Sequence, residues 1–493
     1  MLPSRKAAKF PSLYQANIRV VLNELSGKIG RIATLDDVPD SLIEIWADYG
    51  FDLIWLLSVW QTGPEARSIS RTHAELRHEF ERILPDLTMD DVEGSGFAIQ
   101  AYQVHQSLGG NEALARFRKR MQSHGLKLIL DYVPNHVAPD HRWVKEHPEF
   151  IVQGTEQDIA ESPQNYRKIA TAKGEFIFAM GRDPYFAGWT DTLQMNYGNP
   201  ALQSAMLEEL KHISELCDGV RCDMAMLLLP DVFKRTWGID AEPYWPSAIR
   251  NVKNSHRDFL FIAEVYWDRQ WELMQQGFDY CYDKKLYDRL RGSDAQSILG
   301  HLRADPAFQN RLVRFIENHD EPRAAATFSI DKHFAAATIT FLVPGLRFFH
   351  QGQLEGRKKK ISPHLVRMPI EPTDQPVQDL YERILKILNL SLVRNGDWNL
   401  VDVREAWPGN DSFQSMIAFE WHQADGSHLL VVVNFAEHAS QARIGFLVDR
   451  LPSTLQLKDL VTDVMFVREG RQIAHEGLYV DLKPWGVHLF QVG

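Results

Sequence analysis

Residues 218–226 read Asp-Gly-Val-Arg-Cys-Asp-Met-Ala-Met, a short apolar segment that carries two charges at its centre. The segment follows a helical pattern over 206–217, and this order predicts a short buried β-strand. Side chains alternate along a strand, so Arg221 and Asp223 lie on the same face. Burying these charges is costly unless they are paired or used chemically. Two interpretations remain open: a structural ion pair, or a carboxylate held as a sugar nucleophile.

Composition limits the classes of protein to which the chain can belong. Its 493 residues exceed one compact domain, and 44% hydrophobic with 24% charged residues is typical of a soluble globular protein. The net charge of -11 argues against nucleic acid or an anionic membrane as partner. Three cysteines without paired spacing predict neither a disulfide framework nor a zinc site. Without a recognisable signal peptide or membrane span, we expect a cytoplasmic protein.

Helical and apolar segments alternate along the first four fifths of the chain, a pattern that indicates a parallel α/β fold. About eight strands over roughly 390 residues favour a (β/α)8 TIM barrel over an open sheet. The predicted helices are 40–49, 111–124, 201–217 and 379–393. The predicted strands are 14–22, 51–60, 126–133, the segment around Val220, 259–267, 278–282, 312–316 and 345–350.

Two regions depart from this pattern and suggest further domains. Residues 134–200 are long, polar and aromatic, as expected of a domain inserted after the third strand. Residues 395–493 contain predicted strands without a strong helix between them, which indicates a C-terminal antiparallel β-sandwich domain. The barrel would then comprise residues 1–133 and 201–394. The predicted C-terminal strands are 413–421, 428–434, 442–446 and 487–492.

Several predicted barrel strands end in charged or polar residues. In such a barrel the chemistry lies at the C-terminal ends of the strands, where side chains from different strands converge. Carboxylates and imidazoles at several apolar strands are difficult to explain as core filling. The relevant segments are 131–136 (Asp-Tyr-Val-Pro-Asn-His), 219–223 (Gly-Val-Arg-Cys-Asp), 263–265 (Ala-Glu-Val) and 316–320 (Ile-Glu-Asn-His-Asp).

These four segments, in this order, resemble the four sequence motifs of the α-amylase family, glycoside hydrolase family 13. The resemblance extends over the barrel and the insertion, and it implies a retaining α-glycoside hydrolase that acts on α-glucans or malto-oligosaccharides. It also implies that Asp223 is the nucleophile, Glu264 the general acid/base and Asp320 the third carboxylate. Glu264 must be protonated in the first step, so its pKa should exceed the ordinary value of about 4.3.

The same resemblance implies a set of substrate-binding residues. Arg221 would orient Asp223, while His136 and His319 would donate hydrogen bonds to sugar hydroxyls on the non-reducing side of the cleaved bond. Asn318 of the fourth motif belongs to this set. Phe97 occupies the place of a stacking Tyr and is interpreted as a sugar platform, with a core residue as the alternative.

The chain departs from the family at positions associated with calcium. Asn135 is present, but Gln194 and Leu227 stand where a carboxylate and a His are expected. Calcium prefers several oxygen ligands, above all carboxylates. We therefore expect no metal or other cofactor and interpret Asn135 as a hydrogen-bonding strut, although Asp191 could compensate.

The substrate and the acceptor stay open at this stage. Met226 and Leu227 are apolar where starch-degrading members have Lys-His, and residues 135–143 resemble glucosidase and trehalose-synthase branches. Short oligosaccharides are therefore as plausible as polysaccharide. The alternative activity is that of a transglycosylase or phosphorylase active on sucrose, trehalose or a phosphosugar. The basic run 357–360 would suit phosphate, or could simply be a solvated loop.

Two other classes of function fit the sequence less well. A non-catalytic binding subunit would be expected to lose triad carboxylates and to carry a membrane anchor, and this sequence shows neither feature. A metal-dependent barrel hydrolase would need a tight ligand cluster. Asp131, His136 and His319 could be imagined as ligands, but no ligand spacing supports that reading. The oligomeric state is not predicted.

Overall fold

The structure is a computed structural model and describes residues 8–292, 294–445 and 452–493. Eight parallel strands close into a barrel whose order around the ring is β1-β8-β7-β6-β5-β4-β3-β2. The prediction of a (β/α)8 barrel is confirmed. The strands are β1 Ser12–Asn17, β2 Leu53–Leu57, β3 Lys127–Tyr132, β4 Gly219–Cys222, β5 Leu260–Ala263, β6 Tyr280–Tyr282, β7 Leu312–Arg314 and β8 Leu346–His350.

The first predicted strand, 14–22, is wrong in its second half. The strand ends at Asn17, and a helix runs over Ile18–Ile29. The Asn17 side chain accepts a hydrogen bond from the Val20 backbone N–H and so caps the helix. All five residues of Ile18–Leu22 are buried and all but Arg19 are apolar, so the segment resembles a buried strand in sequence despite being helical.

Three adjacent strands fix the position of the segment that opened the sequence. In the parallel ladder, Arg221 of β4 is level with Asp131 of β3 and Ile262 of β5. The ladder extends beyond the strand ends, since Asp223 N donates to Tyr132 O at 2.8 Å and Glu264 N donates to Cys222 O at 3.0 Å. The backbones that carry both carboxylates are therefore fixed by the barrel itself.

Helices surround and connect these strands, and the predicted helices are present with shifted ends. The helix predicted at 379–393 is divided at Asn389, where a second short helix follows. The helices are Ile18–Ile29, Asp40–Asp48, Pro64–Thr72, Ala74–Ile83, Gly110–Ser123, Arg142–Glu146, Glu156–Glu161, Pro200–Leu216, Pro230–Trp237, Trp245–Ser255, Gln270–Gln275, Lys284–Gly292, Ala295–Leu302, Pro306–Gln309, Ala324–Thr327, Ile330–Leu342, Gln375–Leu388, Ser391–Asn395 and Gly470–Glu476.

Small two-stranded sheets interrupt the barrel pattern. One joins Trp60–Thr62 to Ile99–Val104 between β2 and β3. Two more lie within 134–200, where His136–Val137 pairs with Leu193–Gln194 and Tyr166–Thr171 pairs with Gly174–Ala179. The insertion thus has its own strands and carries the first motif's His136 on one of them.

Two antiparallel sheets form the C-terminal part. Their order is β9-β11-β12-β17-β14-β15 and β10-β13-β16, around a common apolar core. The sequence predicts no strong helix between the strands of this part, but a helix of seven residues runs over Gly470–Glu476. Phe446 of the predicted strand 442–446 lies outside the described residues. The strands are β9 Asp397–Leu400, β10 Val403–Glu405, β11 Met416–His422, β12 His428–Asn434, β13 Ser440–Ile444, β14 Thr454–Asp459, β15 Met465–Glu469, β16 Leu478–Leu482 and β17 Val487–Val492.

By packing, the described chain divides into two compact units. The first comprises 14–282 and 359–370, and the second comprises 8–13, 283–358 and 371–493. The three-part division made from the sequence stays a prediction. Among the residues that the structure describes, no helix has the length and apolarity needed to cross a bilayer.

Close packing at the start of β4 generates a test of the fold. A Cβ atom at Gly219 would lie 2.8 Å from both Cβ and O of Leu260 and 2.9 Å from Cδ1 of Ile129. Gly219→Ala should therefore lower the free energy of unfolding by about 1–3 kcal/mol, the usual cost of overpacking. Gly300→Ala is the matched control, because no atom lies within 4 Å of its Cβ and its helix should gain stability. Urea unfolding measures both, and equal stabilities would contradict the packing argument.

Candidate active site

The centre of the site in the first unit is the buried guanidinium of Arg221, which is 1% exposed. Its Nη1 lies 2.7 Å from Asp223 Oδ1, and its Nη2 lies 2.7 Å from Glu264 Oε2. Burial alone would lower the pKa of Arg221, but the charges of Glu264 and its neighbours hold that pKa well above its ordinary value. The predicted Arg221–Asp223 pair is present, and the same cation also holds Glu264.

A third carboxylate and three aromatic rings surround the same guanidinium. Asp131 Oδ1 lies 3.5 Å from Arg221 Nη1, and Asp131 Oδ2 accepts a hydrogen bond from Trp55 Nε1 at 3.1 Å. The guanidinium carbon lies 5.1 Å from the ring centre of Trp55, 5.2 Å from that of Phe97 and 5.8 Å from that of Tyr282. These rings exclude water and contribute cation–π attraction. Phe97 thus contacts Arg221, and its role as a sugar platform stays a prediction.

Glu264 is held by two further donors besides Arg221. Its Oε2 accepts from the Met224 backbone N–H at 2.8 Å, and its Oε1 accepts from the Tyr266 hydroxyl at 2.8 Å. Met224 has a left-handed backbone with φ of 43°, an arrangement that costs about 1–3 kcal/mol in a residue other than Gly. This backbone conformation directs the N–H of Met224, the residue after Asp223, towards Glu264. The predicted rise in the pKa of Glu264 stays a prediction.

His136, from the first motif, is buried in the same unit. Burial lowers the pKa of His136, and the charges of Asp223 and Asp191 only partly oppose that effect. Its ring lies 5.0 Å from that of Trp189. A neutral imidazole beside an aromatic ring is suited to hydrogen bonding with a sugar hydroxyl.

The residues around Asn135 do not fit a bound calcium ion. Gln194 Nε2 donates to Asn135 Oδ1 at 3.0 Å and to Asn135 O at 2.9 Å, and Asn135 Nδ2 donates back to Gln194 Oε1 at 3.2 Å. The oxygens that a cation would need are thus occupied by N–H donors. Asp191 offers one buried oxygen, Oδ2, without a hydrogen-bond partner in the described chain, far short of six to eight ligands.

The fourth motif lies in the second unit and follows β7. Asn318 Oδ1 accepts from the backbone N–H groups of Asp320 and Glu321, each at 2.8 Å, and so fixes the turn that presents Asp320. His319 is buried, and its Nε2 lies 3.1 Å from Asp320 Oδ2. The Asp320 side chain is 45% exposed. Asn318 therefore shapes the backbone of this motif, while its role in substrate binding stays a prediction.

A buried ion-pair network involves Glu317, the residue directly before this turn. Glu317 Oε1 lies 2.7 Å from Arg323 Nη1, and Glu317 Oε2 accepts from the Ala324 backbone N–H at 2.8 Å. Burial alone would raise the pKa of Glu317, but Arg323 and His350 hold it below its ordinary value. Burial also lowers the pKa of His350 to about 4, which leaves this imidazole neutral near pH 7.

Sequence reasoning missed several residues of the site. It assigned no role to Asp131 as an Arg221 partner, to Tyr266 or to the Glu317–Arg323 pair. Asp131 and Glu317 belong to the quoted motifs, so the sequence did mark them as candidates. Their contacts with Arg221 and Arg323 depend on strand register and on turns between elements, which the sequence pattern does not show. The role of the basic run 357–360 stays undetermined, although Lys358 Nζ lies 3.2 Å from Asp374.

Comparisons with known proteins find matches over most of the chain. Residues 45–375 match the family model described as alpha amylase, catalytic domain. Alpha-amylase 3 of Dictyoglomus thermophilum is 24% identical over 323 residues, which cover 60% of this chain and 60% of the relative. An alpha-1,4-glucan:maltose-1-phosphate maltosyltransferase of Cereibacter sphaeroides is 30% identical over 270 residues, which cover 53% of this chain and 37% of that protein. The chain thus spans less than two thirds of the length of these curated relatives.

A solved structure shows the same fold over almost the whole chain. The maltogenic alpha-amylase AmyB from Thermotoga neapolitana superposes with a TM-score of 0.70 at 19% identity. The match covers 98% of this chain and 99% of that protein. At this identity the likeness establishes the fold alone.

The amide pair of Asn135 and Gln194 generates a test of metal dependence. We expect EDTA to leave the thermal midpoint of unfolding unchanged, because amide contacts take the place of cation ligands. Gln194→Ala should lower the free energy of unfolding by about 1–3 kcal/mol per amide group left unsatisfied. A drop in the midpoint with EDTA that calcium restores would contradict this account. Gln203→Ala, at a partly exposed amide on the following helix, is the control.

Proposed function

Since the chain belongs to the α-amylase family of glycoside hydrolases, we propose that it is a retaining α-glycoside hydrolase acting on α-glucans or malto-oligosaccharides. One observation carries the proposal: a single buried guanidinium contacts both Asp223 and Glu264 at 2.7 Å. In retaining enzymes the carboxyl groups of the nucleophile and the acid lie about 5–5.5 Å apart. Here the adjacent strands β4 and β5 carry Asp223 and Glu264 directly after their C-terminal ends.

The residues perform the reaction in two displacements. In the first step Glu264 carries a proton on Oε1, while its Oε2 keeps the contacts with Arg221 and the Met224 N–H. Glu264 gives this proton to the glycosidic oxygen while Asp223 attacks the anomeric carbon, so the bond to the leaving sugar breaks and a β-glycosyl ester forms. Because Arg221 holds Oδ1 of Asp223, we assign the attack to Oδ2. Glu264, now a carboxylate, then takes a proton from water, whose oxygen attacks the same carbon and frees Asp223. Two inversions leave the α-configuration unchanged.

The remaining site residues bind the sugar on the non-reducing side of the bond. We assign hydroxyl contacts to His136, His319 and Asn318, and a stacking role to Phe97. Asp320 is assigned as the third carboxylate, on the match of its motif to the family and on its exposed position after β7. Its contact with sugar hydroxyls would favour the distorted ring of the transition state.

Transfer instead of hydrolysis is the second candidate. Several relatives of this chain are named as maltosyltransferases that use maltose-1-phosphate, and one is 30% identical over 270 residues. In that case a sugar hydroxyl or phosphate oxygen, rather than water, would attack the β-glycosyl ester. The first displacement, with Asp223 and Glu264, is the same in both activities.

The other features of the proposal follow from the site and the cysteines. We propose an enzyme that needs no metal or organic cofactor, because acid and nucleophile are both side chains. Its partner is an oligosaccharide or polysaccharide. A cytoplasmic location is supported by the low and odd number of cysteines, three in 493 residues, which is not typical of a disulfide-stabilised secreted protein.

Loss of the nucleophile should abolish turnover. Asp223→Asn keeps the shape of the side chain but removes the attacking charge, so we expect kcat to fall by about 10⁴–10⁶-fold. Proton NMR with maltoheptaose measures the products: the wild type should release shorter sugars as fresh α-anomers, or longer sugars if transfer dominates. Asp218→Asn, at the opposite end of β4, is the control for a change of charge. A wild-type β-anomer, or an active Asp223→Asn, would refute the mechanism.

The decrease in rate on removing the acid should depend on the leaving group. Glu264→Gln cannot donate a proton, so hydrolysis of maltoheptaose should slow by about 10²–10⁴-fold, whereas a glucosyl fluoride should be affected far less. Steady-state rates on the two substrates provide the measurement. Equal slowing of both would show that Glu264 is not the acid.

A further inference from the structure

A polar cavity of about 310 Å³ lies in the first unit, at the N-terminal ends of β3, β4 and β5. The candidate active site lies at the opposite, C-terminal ends of the same strands. Asp218 lines the cavity directly before β4, and Asp223 follows that strand. Five residues of extended chain separate their Cα atoms by about 16 Å. The cavity is therefore a separate site and not an extension of the active site.

One ion pair in the lining of the cavity has a structural role. Arg118 Nη2 lies 2.7 Å from Asp218 Oδ1 and also donates to Cys217 O at 2.7 Å, while Nη1 donates to Glu215 O at 2.8 Å. Asp218 Oδ2 accepts from the Leu128 backbone N–H at 2.7 Å. Both oxygens of Asp218 are thus occupied by donors of the protein. The pair fixes the wall of the cavity and adds no net charge to it.

The other charged side chains of the lining are unequally matched. The Lys127 ammonium and the Arg257 guanidinium line the cavity, and neither has an ion-pair partner in the described part of the chain. The His256 imidazole also lines it, with Nε2 3.2 Å from Glu215 Oε1. Asp258 contributes a carboxylate that offsets one of the two free cations. The cavity therefore keeps a positive charge in a chain whose net charge is -11.

This combination of charge, donors and volume favours a compact anion. Lysine offers a point charge and arginine a planar fork of N–H groups, and the two are the usual side chains that hold phosphoryl oxygens. Because Lys127 and Arg257 have no partner, an anion can bind them without breaking an existing ion pair. A concave site also screens that attraction less than an open surface does. The volume exceeds that of a phosphate ion and leaves space for a small group attached to it.

We propose that this cavity binds a phosphoryl group, carried by inorganic phosphate or by a small phosphate monoester such as a phosphorylated sugar. Lys127 at the start of β3 and Arg257 before β5 contact the phosphoryl oxygens from two sides of the structural Arg118–Asp218 pair. Bound phosphate then links segments on both sides of β4. Ligand that binds only the folded chain stabilises it by mass action. The inference concerns binding alone and holds whether the active site catalyses hydrolysis or transfer.

Thermal unfolding in increasing inorganic phosphate, at an ionic strength held constant with sodium chloride, tests the proposal. The wild-type midpoint should rise with phosphate, and the rise gives an apparent dissociation constant. Lys127→Gln and Arg257→Gln each remove one attracting charge, so this constant should increase about tenfold. Asp258→Asn removes the opposing charge and should decrease it about threefold.

A matched control separates the cavity from the general charge of the surface. Lys119→Gln removes an exposed lysine of the helix Gly110–Ser123 that does not line the cavity, and it should leave the constant unchanged. The side chains of Lys127, Arg257 and Asp258 are also exposed, so these variants should fold as the wild type does. Their midpoints in buffer without phosphate check that expectation.

Three results would overturn the inference. The first is a wild-type midpoint that phosphate raises no more than sodium chloride does. The second is an equal response of the wild type, Lys127→Gln and Arg257→Gln, which would place phosphate elsewhere, including the active site. The third is a loss of binding in Lys119→Gln as large as in the cavity variants, which would reduce the effect to surface charge.

The same titrations with glucose 1-phosphate distinguish the two sources of the phosphoryl group. If Lys127→Gln weakens both ligands and glucose 1-phosphate binds more tightly than inorganic phosphate, the cavity accepts the phosphorylated sugar. If Lys127→Gln weakens both and inorganic phosphate binds at least as tightly, the ligand is free phosphate. Either result supports the site, because both require the cavity lysine.

Discussion

The burial of one arginine organises the chemistry of the first unit. A guanidinium that is 1% exposed is stable only when its charge is matched and its donors are occupied. Asp223 and Glu264 each accept from a different terminal nitrogen, and Asp131 supplies a third negative charge. Removing either partner would leave a buried charge uncompensated. The residues proposed to react therefore also compensate the buried charge of Arg221. Any change in the geometry of these residues should also change the stability of the barrel.

Backbone hydrogen bonds, in addition to the charges, fix the positions of the two carboxylates. Parallel pairing continues beyond β4 and β5, so Asp223 and Glu264 are fixed by hydrogen bonds to Tyr132 and Cys222 before any side chain is considered. The left-handed backbone at Met224 then adds a donor to Glu264. Carboxylates on such rigid supports need little reorganisation during a reaction, and this is the condition under which fixed charges stabilise a transition state most effectively.

The sequence allowed the barrel, the motif order and the Arg221–Asp223 pair to be predicted, because each depends on a local pattern. Alternation along a strand places residues 221 and 223 on one face whatever the rest of the chain does. The contact of Arg221 with Glu264, and the exchange of hydrogen bonds between Asn135 and Gln194, depend on register between segments 40–60 residues apart. Ile18–Leu22 was misread for a related reason: complete burial hides the helical period, and only the cap at Asn17 marks the change.

The surroundings of Asp223 and the segment that follows Glu264 are built by different physical means. Around Asp223 the structure uses buried charge, where a small displacement would cost much energy and geometry is held tightly. Beyond Glu264 it uses exposed rings and one exposed guanidinium, which give contact area but weak directional preference. The segment that begins at Glu264 joins the two, since Tyr266 donates to the Glu264 carboxylate and the Trp267 ring contacts the exposed ring of Tyr185. Because the Tyr266 hydroxyl lies two residues after Glu264 on this short segment, the conformation of the segment fixes the orientation of the Glu264 carboxyl group.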